Sequence, residues 1–552
     1  MIQILFPAKK LFTIVSGKKF FFFLFPVFFI ASKSYAQTDR NDLFQSDFVK
    51  VSSGMLQGVS DPETGLKYFW GIPYAQPPVG NLRWRAPQVV IPWTGVRKAN
   101  HFGPKAMQLN IFSDMRFRSK ETSEDCLYLN VWTPAQTPND LLPVFVYFYG
   151  GGFVAGDGSE WRYDGADMAQ KGIVTVTVNY RLGIFGFFAH PGLTKESTHH
   201  SSGNYGMLDQ QAALQWVHDN IHAFGGDPNR VTIGGEFAGS IAVFALMASP
   251  LSRNFIAGAI GESGAMIQPT LPPISLSEGE KRGVEFAKKI GDTSLQSLRN
   301  LPAEELLKLG SQEGFSYFTS TIDGYFFPES PLEIFEKGEQ AKIPLLAGWN
   351  SAEAPYTSFM QGQIPTPENY KKLVQKQFGG KAQEVLKLFP GNDQAQVIQS
   401  ATDLASDQFI VYSTWKWTEL QRNTSGKNVY RYLFERPRPN GYKGFGNGSD
   451  HPLPPPVNGA AHSWEIEYAL GNLATNKVYP WTPDDYKVSA TMLDYFANFI
   501  KTGNPNGNGL PDWAPNNAGT SVKVMHINVD SRLLPENDRK QFEFLDKYYL
   551  GK

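Results

Sequence analysis

Cysteine, long apolar segments and clustered charge of one sign are scarce or absent in this 552-residue chain. Its one cysteine, Cys126, excludes an internal disulfide and any metal site built from several thiolates. The nine histidines include no H-E-x-x-H pair, so the sequence predicts neither a metal nor another cofactor. The 51 basic residues are balanced by 52 acidic ones and do not cluster into a basic block. This charge pattern argues against a nucleic-acid partner.

An apolar run with export features occurs at the N-terminus, over residues 20–30, and it contains Pro26. Four lysines between residues 9 and 19 precede it, and Ser34 and Ala36 place small residues at positions −3 and −1 of a cleavage site. A bilayer span needs roughly 20 apolar residues, so a cleaved signal is favoured over a retained anchor. We expect residues 1–36 to be a signal peptide. The mature chain, 37–552, is then a single exported domain, secreted or periplasmic, without a membrane span.

The rest of the chain alternates short apolar runs with stretches of helical spacing. The runs, apolar on both faces, include residues 143–149, 173–180, 231–233, 344–348 and 429–434. Such runs are typical of buried parallel strands. Residues 205–223 and 238–247 have the spacing of helices between them. This alternation predicts an α/β fold: a large, mostly parallel central sheet with helices on both faces and long loop insertions.

A strand-to-helix turn at residues 235–239 (GEFAG) lacks the serine that a hydrolase would carry there. The motif G-x-S-x-G forms a sharp turn that presents the nucleophile. Phe237 occupies the central position, and its benzyl group has no proton to transfer and no lone pair for attack. Ser263, in a GESGA segment without the last glycine, and Ser240, one helical turn past Phe237, are poor substitutes.

A second glycine-rich turn, residues 149–153 (YGGGF), follows another predicted strand. Consecutive glycines leave backbone N–H groups free to point into a cavity, as in an oxyanion hole. A generic glycine-rich turn is the alternative, and the presence of the GEFAG segment in the same chain makes it less favoured.

These segments and others over residues 46–546 resemble the type-B carboxylesterases, a family of α/β-hydrolases that includes the cholinesterases. The matching segments are GIPYA and PPVG within residues 71–80, EDCLYLNV at 124–131, the glycine run at 150–152, NYRLG at 179–183, FGGDP at 224–228 and TGNPN at 502–506.

The resemblance assigns roles to residues at matching positions. It implies that Glu353, in GWNSAE, is the acid of a catalytic triad and that His462, in GAAH, is its base. The order of elbow, acid and base fits the α/β-hydrolases. The N–H groups of Gly151, Gly152 and Ala238 would form the oxyanion hole.

The resemblance also bears on the ligand. Cholinesterases hold a quaternary ammonium on a tryptophan between the two cysteines of a disulfide. Residues 103–126 contain no tryptophan here, and Cys126 has no partner. The implied ligand is therefore a small-molecule carboxylic ester or a similar compound, not a cationic choline ester. The sequence does not identify a protein partner.

Three functions stay open. In the first, the chain is an ester-hydrolase scaffold whose activity is impaired because Phe237 replaces the nucleophile. Alternatively, it is a non-catalytic pseudo-esterase that binds a ligand or a protein. Finally, it is an active serine esterase that carries an introduced serine-to-phenylalanine change.

Overall fold

A computed structural model describes residues 45–551, except residues 293, 315 and 442–458. The predicted signal peptide, residues 1–36, lies outside the described residues. Within the described part of the chain, no helix is long and apolar enough to cross a membrane. Cys126 is buried and free.

The strands are named here in chain order. They are β1 (Gln45–Val51), β2 (Gly54–Ser60), β3 (Lys67–Pro73), β4 (Val96–Lys98), β5 (Lys105–Ala106), β6 (Thr122–Ser123), β7 (Tyr128–Thr133), β8 (Leu142–Phe148), β9 (Val174–Val178), β10 (Gly226–Glu236), β11 (Gly258–Glu262), β12 (Ile274–Ser275), β13 (Thr321–Ile322), β14 (Leu345–Asn350), β15 (Val429–Phe434), β16 (Lys523–Ile527) and β17 (Arg532–Pro535).

The main sheet has the order β1-β2-β3-β7-β9-β8-β10-β11-β14-β15-β16-β17, and β4 pairs with β2. Neighbours from β9 to β16 are parallel. Neighbours from β1 to β9 in that order are antiparallel. The last strand, β17, is also antiparallel to its neighbour β16. The mostly parallel sheet predicted from the apolar runs is thus confirmed, and it is extended at both edges by antiparallel strands.

The helices are also named in chain order. They are α1 (Ala166–Gln170), α2 (Gly183–Phe187), α3 (Pro191–Glu196), α4 (Tyr205–Asn220), α5 (Ala238–Ala248), α6 (Leu276–Lys289), α7 (Leu295–Asn300), α8 (Ala303–Ser311), α9 (Pro331–Lys337), α10 (Tyr356–Met360), α11 (Pro367–Phe378), α12 (Ala382–Leu388), α13 (Gln394–Ser406), α14 (Tyr412–Thr424), α15 (Ile466–Ala469), α16 (Pro483–Thr502) and α17 (Arg539–Leu550).

Helices cover both faces of the sheet, as β11 shows. Gly261 and Gly258 lie three residues apart on this strand and so point to opposite faces. A Cβ atom on Gly261 would meet Trp417 of α14 and Ser240 of α5, whereas one on Gly258 would meet Phe499 of α16. The strands are therefore buried on both sides, which explains why their sequences are apolar without alternation.

The turn from β10 into α5 is closely packed against the end of β8. A Cβ atom on Gly239 would lie 1.9 Å from the carbonyl oxygen of Phe148, and one on Gly235 would lie 2.5 Å from it. Neither position can hold a side chain without moving the backbone. The two glycines of the GEFAG segment thus allow a helix to start immediately beside a neighbouring strand.

Candidate active site

Phe237 sits at the turn between β10 and α5 in a strained backbone conformation. Its φ of 49° and ψ of −111° lie where L-residues are rare, and such strain costs on the order of 1–3 kcal/mol. Its N–H donates to the carbonyl of Glu262, and its carbonyl accepts from the N–H of Ile241, the fourth residue of α5. The turn therefore has the form of a nucleophile elbow, with a phenyl ring at its tip.

Glu353 and His462 form a hydrogen-bonded pair beside this turn. His462 Nδ1 lies 2.6 Å from Glu353 Oε2. Glu353 follows the carboxyl end of β14 by three residues, and its Oε1 accepts hydrogen bonds from the Asn350 N–H at 2.6 Å and the Ser263 hydroxyl at 2.5 Å. Both oxygens of this buried carboxylate are thus engaged, which fixes the orientation of the imidazole.

The loops that carry Glu353 and His462 are tied together by backbone pairing. Ala352 forms a parallel bridge with Ala461, and its N–H donates to the carbonyl of Ala460 at 2.9 Å. The N–H of Ala460 donates in turn to the Ser351 hydroxyl at 2.9 Å. Because these bonds join the residues just before Glu353 to those just before His462, the two side chains meet through main-chain geometry.

The other imidazole nitrogen faces a second carboxylate. His462 Nε2 lies 3.3 Å from Oε1 of Glu236, the residue before Phe237. Burial disfavours the imidazolium, but Glu236 and Glu353 outweigh this and raise the pKa of His462 to about 9. Burial also raises the pKa of Glu236 to about 8 although His462 opposes it. Glu236 and His462 therefore form a coupled buried pair that retains at least one proton at neutral pH.

The phenyl ring of Phe237 packs directly on this imidazole. The ring centroids of Phe237 and His462 are 5.0 Å apart at 86°, an edge-to-face contact. Phe409 packs on His462 from another side, also at 5.0 Å, and on Phe237 at 5.5 Å. Phe237 is 8% exposed, and the His462 side chain is 25% exposed. Two aromatic rings thus occupy space next to the imidazole.

Two more buried glutamates, Glu262 and Glu465, interact electrostatically with Glu236 and Glu353. Burial and the neighbouring Glu465 raise the pKa of Glu262 well above its usual range, and the Tyr147 hydroxyl donates to it at 3.1 Å. Burial and Glu353 raise the pKa of Glu465 to about 7, and the Asn350 amide donates to this carboxyl. These carboxyls therefore hold protons far more readily than exposed glutamates do.

The glycine turn after β8 brings unpaired backbone donors into the same region. Gly151 (φ 109°) and Gly152 (φ 63°) are buried, and no described residue accepts a hydrogen bond from their N–H groups. Buried N–H groups without an acceptor are rare in folded proteins. Tyr180 supports the turn, because its ring stacks on Tyr149 at 4.4 Å and its hydroxyl donates to the Tyr149 carbonyl. Ala238 is the first residue of α5, next to Phe237.

The hydroxyls of Ser263 and Ser240 are both engaged with groups other than His462. Ser263 is fully buried and donates its hydroxyl proton to Glu353, so it positions the acid. Ser240 is also fully buried, and its hydroxyl donates to the carbonyl of Gly264 at 2.6 Å. Neither hydroxyl is hydrogen-bonded to His462 among the described residues. The described part of the chain also contains no group of three or more His, Cys, Asp and Glu side chains that could hold a metal ion.

Sequence reasoning missed several residues of this site. Glu236 belongs to the GEFAG segment, but the motif does not show that its carboxylate meets His462. Phe409 lies in a π-helical turn, Asp407–Val411, and carries no recognisable signal. Ser263 contacts Glu353 across 90 positions of the sequence, so only the fold brings the two side chains together.

The sheet order, the elbow between β10 and α5, and the acid and histidine loops past the strand ends define an α/β-hydrolase. A family model, described as the Carboxylesterase family, matches residues 45–545, and the chain belongs to this family.

Relatives with assigned activities are similar over nearly the whole chain. A fumonisin B1 esterase of Sphingopyxis macrogoltabida is 35% identical over 503 residues, which cover 87% of this chain and 85% of that protein. A medium-chain fatty acyl-CoA hydrolase precursor of Anas platyrhynchos is 34% identical, with 90% and 91% covered. A para-nitrobenzyl esterase of Bacillus subtilis is 32% identical, with 90% and 99% covered. The chain thus has the scaffold of an ester hydrolase.

Proposed function

We propose that this protein binds small carboxylic esters, or similar compounds, in a carboxylesterase site that does not turn them over by a serine mechanism. The observation that carries the proposal is the contact of the Phe237 ring with His462 at the tip of the elbow. In a serine esterase, the nucleophile occupies this tip and donates its proton to the base. Here a hydrocarbon ring takes that place.

The charge state of His462 supports the absence of turnover. A general base must be neutral to accept a proton, and its pKa is best placed near the working pH. Glu236 and Glu353 raise the pKa of His462 to about 9, so the neutral imidazole that a base requires is disfavoured at neutral pH. A water molecule beside the imidazole would therefore meet a neutral base in only a small fraction of molecules, and the Phe237 ring fills part of the space it needs.

The ligand-binding part of the proposal rests on the glycine turn. The unpaired N–H groups of Gly151 and Gly152, with that of Ala238, are proposed to bind the carbonyl oxygen of an ester as an oxyanion hole would. The activities for which the relatives are named support an ester as the ligand, because each name denotes hydrolysis of an ester or a thioester.

Two observations favour a second candidate, an active serine esterase that carries an introduced serine-to-phenylalanine change. The pair of Glu353 and His462 keeps a 2.6 Å hydrogen bond, and the elbow keeps its strained conformation. Strain of this kind has no evident use without a nucleophile. The rest of the catalytic apparatus would then be ready to act once a hydroxyl returned.

Incubation with p-nitrophenyl butyrate tests the proposal. We expect the ester to raise the unfolding temperature in a saturable way, since ligand at 100 times Kd stabilises a fold by about 2.7 kcal/mol. The ester should be recovered intact, and a fluorophosphonate probe should label neither Ser263 nor Ser240. His462→Gln is the matched control and should leave any slow hydrolysis unchanged. Labelling of either serine, or hydrolysis that disappears in the control variant, would contradict the proposal.

We further propose that residues 1–36 direct export and are removed after Ala36. The support is the lysine-rich start, the short apolar run and the small residues at the cleavage site. One relative is named as a precursor. The intact mass of the protein from the exported fraction should correspond to residues 37–552, and an N-terminus that retains the apolar run would contradict this.

A further inference from the structure

A cavity of about 330 Å³ is lined in part by Asn350 and Ser351, which lead into the loop that carries Glu353. Its walls come from the end of β14, from α13 and the π-helical turn after it, from β15 and β16, and from the start of α17. A water molecule occupies about 30 Å³ in the liquid, and small-molecule sites begin near 300 Å³. The cavity is thus large enough for an organic molecule.

Carboxylates dominate the charge of this cavity. Five of them line it, and no lysine or arginine is among the described lining residues; the acidic residues are Asp403, Asp407, Glu435, Glu536 and Asp538. Glu536 is neutralised by Arg431 and Arg539, and Glu435 lies 2.8 Å from His526. The three aspartates form no ion pair within the described residues. No cation among the described lining residues therefore balances the charge that these three carboxyls carry when ionised.

Asp407 is the decisive member of this set. It is 7% exposed and lines the cavity, and no described residue donates a hydrogen bond to its carboxylate or forms an ion pair with it. A buried carboxylate without a partner is costly. Burial, reinforced by Asp403 and Asp538, raises the pKa of Asp407 well above its usual range. Burial likewise raises the pKa of Asp403 to about 6. A cation in the cavity would relieve this unfavourable arrangement.

The shape of the site selects the kind of cation. The described residues contain no group of three or more His, Cys, Asp or Glu side chains placed to hold a metal ion. The carboxylates are instead spread over a ligand-sized space. Trp349 and Phe542 line the same space, with ring centroids 5.9 Å apart. Aromatic faces attract ammonium groups and pack against alkyl chains.

We propose that this cavity binds a small aliphatic amine with several ammonium groups, in which one ammonium pairs with Asp407 and the alkyl chain packs against Trp349. Nothing in this proposal requires ester turnover. Asn350 and Ser351 form part of the same wall, and the Asn350 N–H donates to Glu353. A bound amine would therefore touch the loop that positions the acid.

Calorimetric titration with spermidine at constant ionic strength tests the site. We expect saturable binding to one site, weakened at least about tenfold in Asp407→Asn, because a charge-assisted hydrogen bond contributes about 1.5–3 kcal/mol. Asp512→Asn is the matched control, since Asp512 is exposed and does not line the cavity, and it should bind like the unmodified protein. Asp403→Asn is a second variant and should also weaken binding.

Unfolding temperatures separate a lost site from a lost fold. Without spermidine, Asp407→Asn should unfold at the same temperature as the unmodified protein or higher, because it removes an unpaired buried acid. Equal binding by the Asp407 and Asp512 variants would show a general surface attraction and overturn the proposal. Tight binding of calcium chloride that spermidine does not displace would also overturn it, in favour of a metal site.

Discussion

Phe237→Ser is expected to raise kcat for p-nitrophenyl butyrate by at least about 10³-fold. Removing the serine alone from a Ser-His-Asp triad costs about 10⁶-fold in kcat, so restoring a hydroxyl at an otherwise intact site should recover much of that factor. The strained backbone at this position already matches a nucleophile elbow. His462 lies against the side chain that the serine would replace, and Glu353 holds the imidazole at 2.6 Å.

Two companion variants identify the source of the gain. Phe237→Ala opens the same space without a nucleophile and should stay within about tenfold of the unmodified protein, since only water could attack. Adding His462→Gln to Phe237→Ser should abolish the gained activity and the labelling by fluorophosphonate. A Phe237→Ser protein that folds normally but neither hydrolyses the ester nor reacts with the probe would show that the site has diverged beyond one residue.

The pH profile of the Phe237→Ser variant reports on Glu236. Only neutral His462 can act as the base, so kcat/KM should rise with pH towards the pKa of His462, about 9 in the unmodified protein. Glu236 favours the imidazolium, and its neutralisation in Glu236→Gln should lower that pKa. The rising limb should therefore move to lower pH. A profile that stays in place would show that Glu236 does not control the base.

The extent to which this structure follows from sequence differs between the sheet and the site. The apolar runs at residues 429–434 and 143–149 predict strands, and the structure has them at Val429–Phe434 and Leu142–Phe148. Burial on both faces leaves this clear signal. The antiparallel strands β1 to β3 give no such run, because their faces are less uniformly buried, and the sequence does not predict them.

Site residues that lie in recognisable motifs could be proposed from the sequence. The residues that surround them in space could not. Phe237, Glu353 and His462 lie in recognisable segments. The bond from Ser263 to Glu353 spans 90 positions, and nothing local in either segment encodes it. Phe409 and the acidic cavity depend in the same way on which elements become neighbours. Long-range packing, rather than local pattern, thus decides what surrounds the acid and the base.

Asp209→Ala is expected to destabilise the protein by about 3–5 kcal/mol, measured by chemical unfolding. Asp209 holds Arg181 with two parallel bonds, Nε to Oδ2 at 2.8 Å and Nη2 to Oδ1 at 2.7 Å, and accepts the Arg181 backbone N–H at 3.0 Å. The two side chains are 0% and 3% exposed. Removing one partner leaves a buried, uncompensated guanidinium, which is far costlier than losing a surface pair.

A paired replacement distinguishes the stranded charge from simple loss of packing. Arg181→Met combined with Asp209→Leu removes both charges and should recover most of the lost stability, because apolar residues of similar volume often replace a buried pair at little cost. Asp512→Ala, at an exposed site, should change stability by less than about 0.5 kcal/mol. Equal losses in the single and paired variants would assign the effect to packing. Arg181 follows Tyr180, which supports the glycine turn, so the single variant should also weaken ester binding there.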